Sequence, residues 1–473
     1  MRPAVCVHAH FYQPPREDPW SGEVPCEPSA APHHDWNHRI TTECYEPVAA
    51  ARILREDGDV QRIVNLYERL NFNVGPTLGA WLDRHAPGVI GAMRAADAVS
   101  CARHDGHGGA IAQPFVHAIL PLASRRDRDT LITWGLVEFA HRFGRAAEGM
   151  WLPETAVDTP TLEALVAHGV RFTIVAPHQI RGLAHGAHLD AGYPARVDLP
   201  SGRSIALFAY NGLLSHRIAF GDLLRHGDAL ADELTMAVRT RGGLSHVATD
   251  GETFGHHHKF GEMALAWALE AIDADPAVDL TTYGAFLAAC PVEQRGVLEE
   301  ATSWSCVHGI ERWRSACGCA AEAAPARGLS WRAPLREAID FAVGALADLT
   351  DQRAGAVLRD PWAARDEYVD AVLDAASLPS FLARHALPAA HGPALAWMRA
   401  HEHLLLAQSS CGWFFDDFDG VESSITLRRL SAAVSIVREL TGHDWGPAIE
   451  ATFASVHAKS GTGVTIWRRL SAP

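Results

Sequence analysis

Residues 1–290 alternate short apolar runs with amphipathic stretches, and this alternation restricts the possible folds more than any other feature of the sequence. The apolar runs, each bounded by turn-forming or polar residues, are AVCVHAH, RFTIVAP, SIALFAY and SHVATD. Segments with helical period, such as TLEALVAHG and FGEMALAWALEAIDAD, lie between or after them. This order predicts an α/β domain, built on a parallel sheet or barrel with helices outside it.

The pattern changes near residue 330, where strand signals nearly disappear. The later segments with helical period and helix-forming composition are 334–358, 364–376, 393–410 and 424–440. A short apolar segment near the end, GVTIWRRL, is the one strand signal that remains. We therefore predict an α/β catalytic domain over residues 1–295. A mainly α-helical domain over residues 296–473 is expected to contribute to the active-site cleft.

A long insertion rich in proline and polar residues, 15–47, follows the first predicted strand. Loops of this length without secondary structure are uncommon inside a compact domain. The insertion is either a lid or rim over the active site or an excursion on the surface, and the sequence leaves both interpretations open.

Charge and composition exclude several classes of partner. The net charge of −15 disfavours nucleic acid and anionic membranes, and it is compatible with a neutral substrate. The sequence has no apolar stretch of about 18 residues and no secretory signal pattern, so we expect a cytoplasmic protein. The odd count of 9 cysteines argues against a disulfide framework. The oligomeric state stays open.

Two carboxylates follow predicted strands, where the chemistry of α/β folds is usually found. Glu154 comes shortly after Trp151 in MWLPETAVD, and Asp250 ends the run SHVATD before Gly251, which lets the backbone turn tightly. An indole face packs well on the C–H groups of a sugar ring, beside a carboxylate that acts on the anomeric carbon. Two carboxylates on different strands suit glycoside hydrolysis, one as acid and the other as nucleophile or base. Strand-end acids are common in such folds, so the pairing alone is a weak hypothesis.

Five short segments occur in order along the chain: HAHFYQP, NFNVGP, WLPE, DGETFG and VHG. This ordered set resembles glycoside hydrolase family 57, a family of retaining α-glycosidases and transglycosidases. The resemblance covers roughly residues 4–310. It implies a distorted (β/α)7-type barrel followed by the mainly α-helical domain. It also implies that Glu154 is the nucleophile and Asp250 the general acid/base.

The same resemblance implies positions that touch the substrate, among them His10, Trp151, Glu252 and His308. The sequence departs from the family pattern in two places. Phe11 and Tyr12 separate His10 from Gln13, and FVHAILP has His117 where the family usually offers a glutamate. The insertion and the segment SCVHGIERWRSACGC resemble features of a family subgroup that carries an extra C-terminal domain of unknown function. The full set of predicted substrate-binding residues is His8, His10, Gln13, His117, Trp151, Glu252, His257, Trp304, His308, Trp413 and Asp416.

Several of these residues have a second interpretation. Trp304 and Trp413 either line sugar subsites or fill the core, because tryptophan serves both purposes. The histidines at 256–258 either form a polar loop, contribute one substrate contact, or bind a metal together with His8, His10 and Asp250, as in zinc mannosidases and deacetylases. Those metal enzymes do not need the WLPE segment, and we predict no metal or cofactor.

A group of cysteines also leaves two interpretations open. Cys306, Cys317 and Cys319, with or without Cys411, could bind zinc or an iron–sulfur cluster. Ordinary buried thiols are the simpler interpretation, because free cysteine packs well in protein cores.

The predicted function is a retaining α-glycoside hydrolase or transglycosidase. Its substrate would be an oligo- or polysaccharide of the α-glucan type, as for an α-amylase, a 4-α-glucanotransferase or a branching-type enzyme. The alternatives are a metal-dependent carbohydrate enzyme and a carbohydrate-binding protein that is catalytically silent.

Overall fold

The computed structural model describes residues 2–55, 57–183, 189–321 and 328–471. It contains two compact units. The first comprises residues 1–13, 27–113 and 139–304, and the second comprises residues 14–26, 114–138 and 305–473. The predicted domain boundary after residue 295 therefore lies inside the first unit. Two earlier segments belong to the second unit, which a contiguous division of the sequence could not anticipate.

The strands are concentrated in the first unit. In chain order they are β1 (Ala4–Phe11), β2 (Ala51–Leu54), β3 (Val60–Val64), β4 (Asn71–Val74), β5 (Phe172–Val175), β6 (Ile180–Gly182), β7 (Ala195–Asp198), β8 (Ser204–Ala209), β9 (Leu244–Asp250), β10 (Asp279–Leu280), β11 (Gly296–Leu298), β12 (His457–Ala458) and β13 (Gly461–Thr462).

Helices occur in both units and make up most of the second. In chain order they are α1 (Trp36–Ile40), α2 (Glu46–Ala49), α3 (Pro76–His85), α4 (Pro87–Arg103), α5 (Arg125–Phe143), α6 (Thr159–Ala167), α7 (Gly212–Phe220), α8 (Gly227–Arg241), α9 (Gly261–Asp273), α10 (Tyr283–Ala289), α11 (Arg332–Arg353), α12 (Pro361–Glu367), α13 (Val369–Leu373), α14 (Leu378–His385), α15 (His391–Leu406), α16 (Cys411–Phe414), α17 (Val421–Thr441), α18 (Gly446–Thr452) and α19 (Gly463–Leu470).

Strand β1 is the centre of the main parallel sheet and is buried along its whole length. It pairs with β9 on one side, and with β10 and then β4 on the other. Parallel bridges continue this row from β4 through 110–112 and 149–150 to β5, which pairs in parallel with β8. The four strands predicted from apolar runs are thus confirmed as β1, β5, β8 and β9, and the α/β class of the first unit is confirmed.

Of the predicted α/β barrel, the α/β class is confirmed but the closed barrel is not. In the described residues no closed sheet is formed, because β8 and β9 do not pair as strands. A single backbone hydrogen bond of 2.9 Å, from Asn211 N–H to the carbonyl of His246, links the end of β8 to β9. The parallel order still brings the carboxyl ends of β1 and β9 to one edge, where His10 is paired with Asp250.

The second unit is mainly helical, as predicted, but the segment GVTIWRRL is wrongly predicted as a strand. It forms α19, whose first turn is capped by the Thr462 side chain accepting from Thr465 N–H. Ile466, Trp467 and Leu470 are buried along this helix. A short apolar run fits either period, and here the packing of one helical face decides the outcome.

The insertion 15–47 contains regular structure rather than a long loop. Residues 27–47 belong to the first unit and contain α1, the start of α2, and a π-helical turn, Thr41–Tyr45, that joins them. The Asp35 side chain caps α1 by accepting from His38 N–H at 3.0 Å. Tyr45, at the end of the π-helical turn, is fully buried in the first unit.

No helix in the described part of the chain combines the length and the apolar character needed to cross a membrane.

The turn after β9 requires glycine at position 251. A Cβ atom added there would lie 2.3 Å from the fully buried ring of Phe11. We expect Gly251→Ala to lower the free energy of unfolding by about 1–3 kcal/mol, because the ring has no space to move away. Urea unfolding measures this difference. Gly91→Ala in α4 is the control, since a Cβ there meets nothing within 4 Å. Equal stability of the two variants would contradict the expectation.

Candidate active site

Glu154 lies in a 3-10 turn, Pro153–Thr155, and has an unusual backbone conformation. Its φ of 57° and that of Thr155, 48°, are both in the left-handed region, which residues other than glycine rarely adopt. The turn is held by Gln179, whose side chain exchanges hydrogen bonds of 2.8 Å with the hydroxyl and the carbonyl of Thr155. A backbone conformation of this kind, fixed by its surroundings, is a common sign of a functional site.

Trp304 holds Glu154 by two hydrogen bonds. Its backbone N–H donates to the Glu154 carbonyl at 3.0 Å, and its indole N–H donates to Oε2 of the carboxylate at 3.1 Å. The carboxylate is therefore fixed in position as well as in direction. Trp304 was predicted to line a sugar subsite, and that role stays a prediction; the structure shows that its indole N–H contacts Glu154.

Trp151 forms an aromatic wall with the two histidines of β1. Its indole stacks on His8 at 4.7 Å and on His10 at 5.1 Å between ring centroids, and it meets Trp304 edge-on at 5.1 Å. Both Trp151 and His8 are fully buried, so they support the site from below its surface. The structure thus brings four of the predicted residues together.

Asparagine side chains occupy both ring nitrogens of His8. Its Nδ1 lies 3.0 Å from Oδ1 of Asn71, and its Nε2 lies 3.1 Å from Oδ1 of Asn73. Burial lowers the pKa of His8 to about 4, so the ring is neutral near neutral pH. Asn73 also donates to Gln113 at 2.7 Å. The family resemblance included the motif NFNVGP, which contains both asparagines, but it assigned no role to either of them.

Asp250, at the end of β9, holds a proton strongly. Its side chain reaches solvent, yet the protein crowded around it removes enough water to raise its pKa well above the ordinary value. The negative charges of Glu252 and Glu154 raise this pKa further. The two candidate carboxylates therefore influence each other directly, as an acid and a nucleophile in one site must.

Glu252 is the third carboxylate of this group and lies in the 3-10 turn Gly251–Phe254. Its Oε1 accepts a short hydrogen bond from the Tyr45 hydroxyl, and Gln13 donates to that hydroxyl at 3.1 Å. Burial raises the pKa of Glu252 to about 7, although hydrogen bonds from Tyr45 and Gln13 oppose the rise. Tyr45 comes from the insertion, so that segment contributes to the site in a way that the sequence did not reveal.

The histidines at 256–258 diverge from one another. His256 pairs with Glu43, and His258 donates from Nε2 to the Ala219 carbonyl at 2.8 Å. His257 is exposed. Among the described residues, no group of three ligand atoms within 4.8 Å of one another includes these histidines, His8, His10 or Asp250. This geometry does not favour the metal site that the histidine spacing left open.

Another group of possible ligands in the first unit consists of His34, Asp35 and His38. The Asp35 carboxylate caps α1 and accepts from both imidazoles, at 2.8 and 2.7 Å. These hydrogen bonds account for its position without a metal ion.

The remaining predicted residues, His117, His308, Trp413 and Asp416, belong to the second unit. Trp413 is fully buried and its indole N–H donates to the Arg332 carbonyl at 3.0 Å, which favours the core interpretation over the subsite interpretation. Asp416 accepts from the backbone N–H of Ala321 at 3.0 Å, and its side chain is buried beside Arg332.

The two histidines of this set also have local partners. The ring of His117 is buried, and its Nδ1 lies 2.6 Å from the Ser410 hydroxyl. Burial lowers the pKa of His117 to about 3. His308 lies beside Cys319, with 3.5 Å between Nδ1 and Sγ. It therefore lies in a cluster of cysteines, and its predicted place beside the substrate stays a prediction.

Two family models match the sequence. The model described as glycosyl hydrolase family 57 matches residues 31–299, and a domain of unknown function (DUF3536) matches residues 329–473. Comparison with curated proteins gives no match.

Solved structures of similar fold include three enzymes. An exo-type maltose-forming amylase from Pyrococcus sp. ST04 has a TM-score of 0.71 at 13% identity, covering 99% of this chain and 88% of that one. A GH57-type branching enzyme from Pyrococcus horikoshii has a TM-score of 0.60 at 14% identity, covering 99% and 94%. An α-amylase from Thermotoga maritima has a TM-score of 0.57 at 13% identity, covering 100% of each chain. At these identities the likeness establishes the fold.

Replacing the indole of Trp304 tests how strongly the Glu154 carboxylate is held. We expect Trp304→Phe to lower the free energy of unfolding by about 1.5–3 kcal/mol, the usual value for a hydrogen bond to a charged group. Chemical unfolding at neutral pH measures the loss. Trp36→Phe is a matched control, because the indole N–H of Trp36 donates to the neutral hydroxyl of Ser29 at an exposed site. An effect no larger than that of the control would mean that the bond to Glu154 is unimportant.

Proposed function

The chain belongs to glycosyl hydrolase family 57, and on this basis we propose that it is a retaining glycoside hydrolase or transglycosidase that acts on α-glucans. The observation that carries the proposal is the pairing of Glu154, fixed by Trp304, with Asp250, whose pKa is raised partly by the charge of Glu154. The choice of α-glucan as substrate is supported by the names of the similar structures, which are a maltose-forming amylase, a branching enzyme and an α-amylase.

In the first step we assign Glu154 as the nucleophile and Asp250 as the general acid. Glu154 attacks the anomeric carbon, and Asp250 gives its proton to the glycosidic oxygen as that bond breaks. The leaving sugar departs, and the remaining glycosyl group is held as an ester of Glu154. In a retaining enzyme the two carboxyl groups lie about 5–5.5 Å apart, because the nucleophile has to reach the anomeric carbon directly.

In the second step Asp250 acts as the base. It takes a proton from water, or from the hydroxyl of an acceptor sugar, as that oxygen attacks the anomeric carbon and releases Glu154. Two inversions give net retention. Water as the attacking group gives hydrolysis, and a sugar hydroxyl gives transfer.

The charges of the site suit this change of role. In the free enzyme the negative Glu154 helps to keep Asp250 protonated, which is the state that an acid requires. Once Glu154 is an ester its charge is gone, and this contribution to the pKa of Asp250 disappears. Asp250 can then remain ionised and accept a proton.

The finer architecture that we propose for the first unit is the distorted (β/α)7-type barrel of the family. Its support is the continuous parallel row from β9 through β1, β4 and the bridged segments to β5 and β8. Trp151, His8 and His10 belong to this row, because both histidines lie on β1 and Trp151 follows the bridged segment 149–150.

Removal of either carboxylate tests the assignment. We expect Glu154→Ala and Asp250→Ala each to lower kcat on maltooligosaccharides by roughly 10³-fold or more without loss of folding. A time course of the products from an oligosaccharide ladder measures turnover. Shorter products alone indicate hydrolysis, whereas shorter and longer products together indicate transfer.

Rescue of the two variants by azide distinguishes the nucleophile from the general acid/base, because the two rescued products differ in anomeric configuration. In Glu154→Ala the small anion fills the place of the nucleophile, so the rescued product should be a glycosyl azide of inverted anomeric configuration. In Asp250→Ala azide should attack the glycosyl-enzyme and give a product of retained configuration. Full activity of either variant, or the opposite pair of configurations, would refute the assignment. If the wild-type protein is folded but inactive on every α-glucan, the proposed substrate class is refuted.

The pH profile tests the influence of Glu252 on Asp250. The carboxylate of Glu252 raises the pKa of Asp250, so the neutral amide of Glu252→Gln should lower it. Since the acid must be protonated, the alkaline limb of kcat/KM should move to lower pH. We expect a shift of roughly 0.5–1 unit, because water at Asp250 screens part of the repulsion.

The control for this profile is Glu43→Gln, which removes a carboxylate that pairs with His256. It should leave the alkaline limb in place. An unchanged limb in Glu252→Gln, or an equal shift in both variants, would show that Glu252 does not set the pKa of the acid.

A further inference from the structure

A group of three cysteines and one histidine lies in the second unit. Cys306, His308, Cys317 and Cys319 each offer one ligand atom, and these four atoms all lie within 4.8 Å of one another. The sequence favoured ordinary buried thiols, with Cys411 as a possible fourth member. In the structure the fourth member is His308, which the family resemblance had placed beside the substrate.

The distances within this group match a tetrahedral zinc site. Zinc binds thiolate sulfur at about 2.3 Å and imidazole nitrogen at about 2.0–2.1 Å, so the edges of the tetrahedron are about 3.8 Å for S···S and about 3.6 Å for S···N. The Cys306 and Cys317 sulfurs are 3.8 Å apart, and Cys319 Sγ is 3.5 Å from His308 Nδ1. A disulfide would instead need its sulfurs about 2.05 Å apart.

The exposure of these residues does not suit ordinary core thiols. Cys306 is buried, but Cys317 and Cys319 are partly exposed and His308 is exposed. Free cysteine that only fills space is usually among the most buried residues. Two neighbouring thiols near solvent would oxidise easily, whereas a bound metal protects them.

Backbone N–H groups surround two of the four proposed ligands. The N–H groups of His308 and Arg312 donate to the Cys306 sulfur, and that of Val307 donates to the Cys319 sulfur. Donors of this kind around the sulfurs are the usual second layer of a thiolate site.

A buried arginine supplies compensating charge. Three thiolates, one neutral imidazole and Zn²⁺ together carry one negative charge. The Arg332 side chain is fully buried, and its Nη1 donates to the Cys319 carbonyl at 2.7 Å. The same guanidinium is close enough to Cys317 and Cys319 to interact with their charges. Burying this guanidinium is costly unless negative charge lies nearby; Asp416, 3.5 Å from Nη2, supplies one such charge, and the thiolates of the site would add to it.

We propose that Cys306, His308, Cys317 and Cys319 bind a structural zinc ion in the second unit. With all four positions filled by protein ligands, no position is open for a substrate, so the ion stabilises the fold and does not catalyse a reaction. It fixes the segment 305–319, whose one regular element is the 3-10 turn Glu311–Trp313. Arg312 ties this segment to α16 through a 2.7 Å hydrogen bond to the Phe414 carbonyl. The proposal is independent of the glycosidase function.

The first test is the metal content of the full chain, expressed with added zinc and purified under reducing conditions. Mass spectrometry of the metals should find about one zinc per chain. Cys317→Ser and Cys319→Ser should lose at least nine-tenths of it, and His308→Ala should lose it on dialysis against a chelator. His308→Cys should keep the zinc, because four thiolates form an equally good tetrahedral site.

Cysteines outside the group serve as controls. Cys411→Ser and Cys26→Ser should retain the full zinc content, since neither residue belongs to the group of four. Retention in Cys411→Ser also separates the proposed ligand set from the alternative in which Cys411 is the fourth ligand.

Zinc removal and replacement in the wild-type protein test the site without depending on whether a variant folds. Removal of zinc with a chelator should lower Tm, and addition of zinc alone should restore it. Replacement by Co²⁺ should give the thiolate-to-cobalt charge-transfer absorption of a tetrahedral site. The proposal is overturned if zinc-replete protein holds no stoichiometric metal or holds iron with sulfide. A native Cys306–Cys317 disulfide, or full zinc content in both cysteine variants, would also overturn it.

Discussion

The hydrogen bonds from Trp304 to Glu154 are the constraint on which the site depends. Glu154 has a left-handed backbone that costs free energy, on the order of 1–3 kcal/mol, and such a conformation persists only where neighbours hold it. Trp304 holds both its carbonyl and its carboxylate, and Gln179 holds the next residue. In the proposed mechanism Glu154 is the nucleophile, and these contacts orient its carboxylate before substrate arrives, which lowers the cost of reaching the transition state.

Three carboxylates lie close together in the candidate site, and burial raises the pKa of two of them, Asp250 and Glu252. Asp250 is surrounded by protein and by the charges of Glu154 and Glu252, so its pKa is raised most clearly. Glu252 is partly compensated by the Tyr45 hydroxyl and has a pKa of about 7. In the proposed mechanism, like charges placed together in a partly dry site keep Asp250 protonated, as a general acid requires.

The two units are stabilised in different ways. The first unit is organised by parallel strands whose buried faces also carry polar residues, such as His8 and His10 on β1. The second unit has few strands and packs helices, and its segment 305–319 has little regular structure of its own. A metal site in that segment would stabilise its conformation through bonds to the metal, as hydrogen bonds between strands stabilise the first unit.

The sequence by itself determined the elements whose pattern is local and long enough to be distinctive. Strands β1, β5, β8 and β9 follow from apolar runs that end in polar turns, and the ordered motifs of the family resemblance single out Glu154 and Asp250 as candidates. Only the tertiary structure decided that GVTIWRRL is a helix, that Trp413 is buried and that Tyr45 supports Glu252. It also decided that His308 joins three cysteines. Each of these outcomes depends on contacts between residues distant in sequence, or on which face of a short apolar run is covered. Periodicity carries no information about either.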